Sequence, residues 1–138
     1  MDIDARGPRF GAAVTTAVLA VVLITGNVWP LVWQTLCFAL GAAGGVARSP
    51  YGWLFRTVVR PRIGPPTEFE APEPPRFAQA VGLVFAVLGL IGYAVGPEWL
   101  GLAATACALA AAFLNAAFAY CLGCEAYLLV RRGSARVG

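Results

Sequence analysis

The sequence predicts an all-α, polytopic integral membrane protein: a four-helix bundle of two tandem helical hairpins, with N- and C-termini cytoplasmic. Three observations predict it. Of 138 residues, 59% are hydrophobic and only 12% charged, about half the roughly 25% charge of a soluble domain. The charge is also missing in blocks, with none in residues 10–47 (38 positions), 77–97 (21) or 99–124 (26). A bilayer span needs about 20 predominantly apolar residues, so the first block holds two spans and the others one each. Finally, all ten arginines fall on one side of a four-span path. Arg6 and Arg9 precede the first span, Arg48, Arg56, Arg60, Arg62 and Arg76 lie in the central loop, and Arg131, Arg132 and Arg136 lie in the tail. The opposite side has two short turns whose only charge is Glu98. The positive-inside rule puts the arginine side in the cytoplasm. At this length residues 1–138 form a single membrane domain.

Span one covers about residues 10–26. Arg6 and Arg9 before an apolar run imitate a signal peptide, but no A-x-A site follows before Trp29-Pro30 and the chain re-enters the membrane, so the segment is expected to stay. Gly26-Asn27-Val28-Trp29-Pro30 supplies the breakers of a tight turn, and span two follows over about 31–47. Ser49-Pro50 is a helix start, a capping Ser with Pro in the first turn. Tyr51, Trp53, Leu54, Phe55, Val58 and Val59 mix with Arg56 and Arg60, the pattern of an interfacial helix over about 50–60 with its apolar face in lipid. Pro61 is expected to stop it. Residues 61–75 hold six Pro and three Glu, which favours extended polyproline conformation; a stiff connector is the preferred reading and a docking strip the other. Span three covers about 77–95, Gly96-Pro97-Glu98 turns the chain, and span four runs over about 99–120, with apolar sequence continuing toward Val130. Trp29, Trp33 and Trp99 are expected near the outer interface.

The hairpins resemble each other. Arg9-Phe10-Gly11-Ala12-Ala13-Val14 parallels Arg76-Phe77-Ala78-Gln79-Ala80-Val81, and Trp29 and Trp99 each precede a cysteine, Cys37 and Cys107, by eight residues. Both halves run the same way through the membrane, as a parallel repeat about an axis along the membrane normal would; chance likeness among Ala- and Gly-rich helices is the alternative. Small residues allow close helix approach in lipid: Ala104, Ala108, Ala112 and Ala116 form one ridge, and Gly41, Gly45, Gly89, Gly92 and Gly96 add further points. Thr15, Thr16, Gln34, Thr35, Gln79, Thr105 and Asn115 are polar, but no charged residue lies in a span, which counts against an ion-coupled pump.

The chain has no His. That excludes Ser-His and Cys-His catalytic pairs and His-ligated haem or zinc, and no cofactor or metal is expected. The positive charge flanks apolar spans, so no nucleic acid is implied as partner. Sulfur remains. Cys37 and Cys107 sit at matched depth, as small packing residues or as secondary members of a thiol site facing each other near the midplane. Cys121-Leu122-Gly123-Cys124 is a dithiol spacing used in redox and metal sites, expected on one face of a continuing helix. From Trp99 to Cys121 a straight helix covers roughly 33 Å, which puts the pair at the cytoplasmic interface. Glu125 adjoins it as a modulator that disfavours a thiolate, while Arg131 and Arg132 favour one weakly. A permanent structural disulfide is not expected in a reducing cytoplasm. Packing, thiol exchange and half of a shared metal site all fit the spacing.

Four motifs in order resemble a known family: Asp4-Ala5-Arg6-Gly7-Pro8-Arg9-Phe10, Ser49-Pro50-Tyr51-Gly52-Trp53-Leu54-Phe55, Pro74-Pro75-Arg76-Phe77-Ala78-Gln79 and Cys121-Leu122-Gly123-Cys124-Glu125-Ala126-Tyr127. Over about residues 2–132 the chain is similar to the bacterial membrane family called domain of unknown function 4395. The resemblance implies a bacterial cytoplasmic membrane location and a Cys-containing C-terminal motif, and it suggests thioredoxin-like or sulfurtransferase partners. The expected function is therefore a thiol redox or sulfur-handling membrane protein, with Cys121 and Cys124 as the working dithiol and a homo-oligomer as one form. Small-solute permeation and a non-catalytic membrane assembly role are the alternatives. Four-helix quinone-linked thiol oxidases share the dithiol-in-a-bundle idea, but here the dithiol falls on the cytoplasmic side and no second loop pair is present.

Overall fold

The computed structural model describes residues 3–4, 6–45, 48–65, 69–70, 73–118 and 120–137. The chain is almost wholly helical, as expected. α1 (Arg6–Thr25) and α2 (Trp29–Gly44) form the first hairpin. α3 (Pro50–Leu54), a π-helical segment (Phe55–Val59) and α4 (Arg60–Ile63) follow as one rod. α5 (Glu73–Ala94) and α6 (Glu98–Phe118) form the second hairpin, and α7 (Leu122–Val137) closes the chain. A two-residue antiparallel ladder joins β1 (Ile3–Asp4) to β2 (Phe69–Glu70), a small departure from pure α structure. The expected end of span two at 46–47, and 66–68 and 71–72 of the Pro-rich loop, lie outside the described residues.

α1, α5 and α6 are long and apolar enough to cross a membrane, consistent with a multi-pass membrane protein. α2 has 16 residues, about 24 Å at 1.5 Å per residue, against a hydrocarbon core of about 30 Å. Large apolar side chains such as Ile24, Leu36, Val84, Ile91, Val95 and Phe113 point outward, as they do where the surrounding solvent is lipid.

The packing is reciprocal. α1 lies against α6 and, less extensively, α2; α5 lies against α2, α6 and α7. Leu19, Val22, Leu31, Phe38, Ala86 and Ala108 form the buried centre. Small residues set the closest approach, as their spacing suggests: a Cβ added at Gly92 would fall on the backbone of Gly101. The two matched arginines also cross over. Arg9, opening α1, donates to the Ala116 carbonyl of α6 (3.1 Å), and Arg76, opening α5, donates to the Ala42 (2.8 Å) and Ala43 (2.6 Å) carbonyls of α2. The last carbonyls of a helix lack intrahelical donors and carry the negative end of its dipole, so each hairpin neutralises the other's exposed helix end.

Three boundaries differ from expectation. Pro61 does not stop the loop helix. Proline lacks an N–H and crowds the carbonyl four residues back; widening to a π turn over Phe55–Val59, with the Arg60 N–H donating to Phe55 O, absorbs this, and the rod runs on to Gly64 at φ 87°. α5 starts at Glu73, with Pro74 and Pro75 in a first turn that needs no N–H donors. The expected span four is α6, but its apolar continuation toward Val130 is a separate helix, because the chain breaks between Phe118 and Leu122 and the Tyr120 N–H turns back to Leu114 O (3.2 Å).

The α1 start is pinned to the end of α4. Asp4 accepts from the Arg6 N–H (3.0 Å) and from its guanidinium (2.9 Å), while Arg6 Nη2 donates to Gly64 O (2.9 Å). The Arg6 side chain hydrogen-bonded to Asp4 holds that carboxyl below its ordinary range, against a smaller upward push from burial.

Candidate functional site

The break before α7 sets the geometry of the Cys121–Cys124 pair. Cys121 stands just outside the helix in the capping position. Its Sγ accepts from the Cys124 N–H (3.1 Å), and its carbonyl accepts from the Glu125 N–H (3.0 Å). The expectation of a C-x-x-C inside a continuous helix is thus corrected to a C-x-x-C at a helix N-terminus. The two sulfurs form a disulfide, with Cα atoms 5.1 Å apart, inside the range such a bond requires. Both cysteines are half-buried, and the Glu125 side chain is exposed. In the reduced state, the backbone donor and the positive end of the α7 dipole favour a thiolate at Cys121.

α7 lies along α5, with two close pairs. Gly123 lies so close to Ala78 that an added Cβ would stand 2.5 Å from the Ala78 Cβ. Tyr127 packs on Phe77, ring centroids 5.6 Å apart, and Arg131 reaches the Tyr127 ring and hydroxyl.

A cavity of about 520 Å³ lies beside the disulfide, lined by Cys121, Gly123, Cys107 and Gln79 among others. Asn115 and Thr15 contribute polar groups to a mostly apolar wall. The structure therefore brings Cys107 and Cys121 to one cavity.

Cys37 sits elsewhere, at 1% exposure beside Tyr51. Tyr51 departs from its expected place. It was expected on the lipid face of the loop helix, but its ring turns into the protein: its hydroxyl donates to Gln34 Oε1 (2.7 Å) and accepts from Trp33 Nε1 (3.0 Å), and Gln34 Nε2 donates to Thr15 Oγ1 (3.1 Å). Burial pushes the Tyr51 hydroxyl well above its usual range. Trp33 is drawn into this network, whereas Trp29 (73% exposed) and Trp99 (67%) stand free at the two hairpin turns. Phe55 is buried against Phe10, while Trp53, Leu54 and Val58 of the same rod face out. The available signal was positional: Ser49-Pro50-Tyr51 precedes Phe55 at the spacing by which Cys121-Leu122-Gly123 precedes Tyr127.

Among the described residues no group of three or more Cys, Asp or Glu side chains is placed to hold a metal ion. A family model described as Domain of unknown function (DUF4395) matches residues 3–132. No curated protein and no solved structure matches the chain.

Proposed function

The chain belongs to the DUF4395 family, a description that carries no activity, and from the site itself we propose that it is a membrane thiol protein that exchanges electrons or sulfur through Cys121 and Cys124. The observation that carries this is the Cys121–Cys124 disulfide at the N-terminus of α7, half-exposed and on the wall of a cavity. In this reading α1, α2, α5 and α6 cross a bacterial cytoplasmic membrane as a four-helix bundle. The arginine-rich end, both termini and the dithiol face the cytoplasm, where a thioredoxin-like or sulfurtransferase protein reaches them.

The exchange follows from the local geometry. A partner thiolate attacks Cys124 Sγ. The Cys121–Cys124 bond breaks and Cys121 leaves as the thiolate, because the sulfur better stabilised as an anion is the better leaving group. A second partner thiol then attacks the mixed disulfide at the partner sulfur. This releases partner disulfide and leaves the Cys121–Cys124 dithiol, with two electrons gained. Persulfide transfer uses the reduced pair: the Cys121 thiolate attacks the outer sulfur of a partner persulfide, that S–S bond breaks, the partner leaves as its thiolate and Cys121 holds the sulfur as a persulfide.

Alkylation with a mass-tagged maleimide, with and without prior reduction, reads the state of the pair. Two additional tags after reduction are expected. Cys121→Ser and Cys124→Ser variants that retain full activity in a deletion strain would end this reading. The cavity favours one alternative, permeation of a small neutral solute, which uptake into proteoliposomes by a variant lacking all four cysteines would reveal.

A further inference from the structure

The two halves make the same contacts with different side chains. Ser49 caps α3 by accepting the Gly52 N–H (3.2 Å), and Cys121 caps α7 by accepting the Cys124 N–H (3.1 Å). Phe10 packs on Phe55, and Phe77 packs on Tyr127. Gly11 faces Tyr51, and Ala78 faces Gly123. With the crossed arginines, these pairs match α1–α2–α3 to α5–α6–α7 contact by contact. The dithiol stands where the first half has Ser49 and Gly52, and Gly123 stands where it has Tyr51.

This correspondence explains the cavity. In the first half Tyr51 packs against Gly11 and beside Cys37, and its hydroxyl is linked to Thr15 through Gln34. The counterparts of Gly11, Thr15 and Cys37 in the second half are Ala78, Gly82 and Cys107, all on the cavity wall, and Gly123 offers no side chain to fill it. We infer that this cavity binds a lipid-soluble quinone or its hydroquinone, whose ring takes the place that the Tyr51 phenol takes in the first half.

Size, lining and position agree. About 520 Å³ falls within the roughly 300–1,000 Å³ of small-molecule sites. None of the described residues lining it is charged, which disfavours the carboxylate- and ammonium-bearing small thiols of the cytosol. Gln79, Asn115 and Thr15 offer donors for ring oxygens, as Trp33 does for the Tyr51 oxygen. The redox half of the inference rests on the thiol reading above. Cys121 and Cys124 thiols give two electrons and two protons to the quinone; the S–S bond forms and the ring leaves as hydroquinone.

The test uses the full chain in nanodiscs and a fully substituted decyl-benzoquinone, which thiols cannot add to. Equilibrium binding is compared among wild type, the C121S/C124S variant, A78G/G123Y and Ala111→Phe. A78G/G123Y installs the Gly11–Tyr51 pair in the second half without the clash that G123Y alone would make. Ala111→Phe fills the cavity from α6, independently of the α5–α7 contact. Wild type is expected to bind, and both filling variants to bind at least tenfold more weakly. Equal uptake by all four folded proteins is partition into lipid and overturns the site. Pre-reduced wild type is expected to convert one quinone per dithiol, read by absorbance, and C121S/C124S none. Binding without conversion overturns the redox half of the inference and leaves the binding site; no additional maleimide tags after reduction overturns the thiol reading, and thiol exchange without binding overturns the site alone.

Discussion

Tyr51 is tied at its hydroxyl to both Trp33 and Gln34, so one oxygen joins α3 to α2 in an apolar setting. Tyr51→Phe keeps the ring but strands Gln34 Oε1, and an unpaired buried acceptor costs about 1–3 kcal/mol. Chemical denaturation in detergent should show that loss, whereas Trp53→Phe on the outward face of the rod should change stability by less than about 0.5 kcal/mol. Asp4 gives a pH dependence. Its carboxyl is held below its ordinary value of 3.8 by the Arg6 side chain. Its stabilising contribution is therefore complete above that value and lost as pH falls through the lower folded one. Asp4→Asn should flatten the acid limb of a stability-versus-pH curve and leave it unchanged in shape near neutrality. The thiol pair was legible in the sequence because Cys121 and Cys124 sit at a spacing with few uses. The inward turn of Tyr51 was not, since an aromatic residue beside arginines reads equally well on a lipid face, and only the Gln34 and Thr15 partners brought by other helices decide between them.

The helices of the two hairpins were readable because a charge-free stretch bounded by Gly and Pro has few alternatives in a bilayer. Their ends were less so. Pro61 was expected to end the loop helix, and a single π turn carries the chain past it; local propensity does not foretell a five-residue widening that depends on Phe55 being anchored against Phe10. The α6–α7 break was hidden because Tyr120, Cys121 and Leu122 are apolar enough to continue a span. The approach of α5 to α6 at Gly92 and Gly101 fixes the angle of the second hairpin. Gly92→Ala places a methyl group on the Gly101 backbone and should cost about 1–3 kcal/mol by overpacking, measured as a lower midpoint of thermal unfolding. Ala substitution at Gly133, where an added Cβ meets nothing, is the control and should be neutral or slightly stabilising.

At the scale of the molecule, the arginine distribution is the strongest sequence signal for orientation. Single-cysteine reporters in a background lacking the native four give the check: reporters in the tail and at residue 65 should react with membrane-impermeant maleimide only after the cells are opened, and one in the turn beside Glu98 should react in intact cells. The reverse pattern would invert the proposed topology and place the dithiol outside. The crossed arginines carry one more consequence, for the order in which the chain is made. While only the first hairpin has left the ribosome, the α2 carbonyls that Arg76 will meet have no such donor, and the Arg9 guanidinium has no α6 end to receive it. Each hairpin is thus an unfinished half of a clasp. Co-expressed as two fragments cut in the loop between α4 and β2, the halves hold complementary hooks, and the first hairpin is completed only by Arg76, a residue translated well after α2 ends at Gly44.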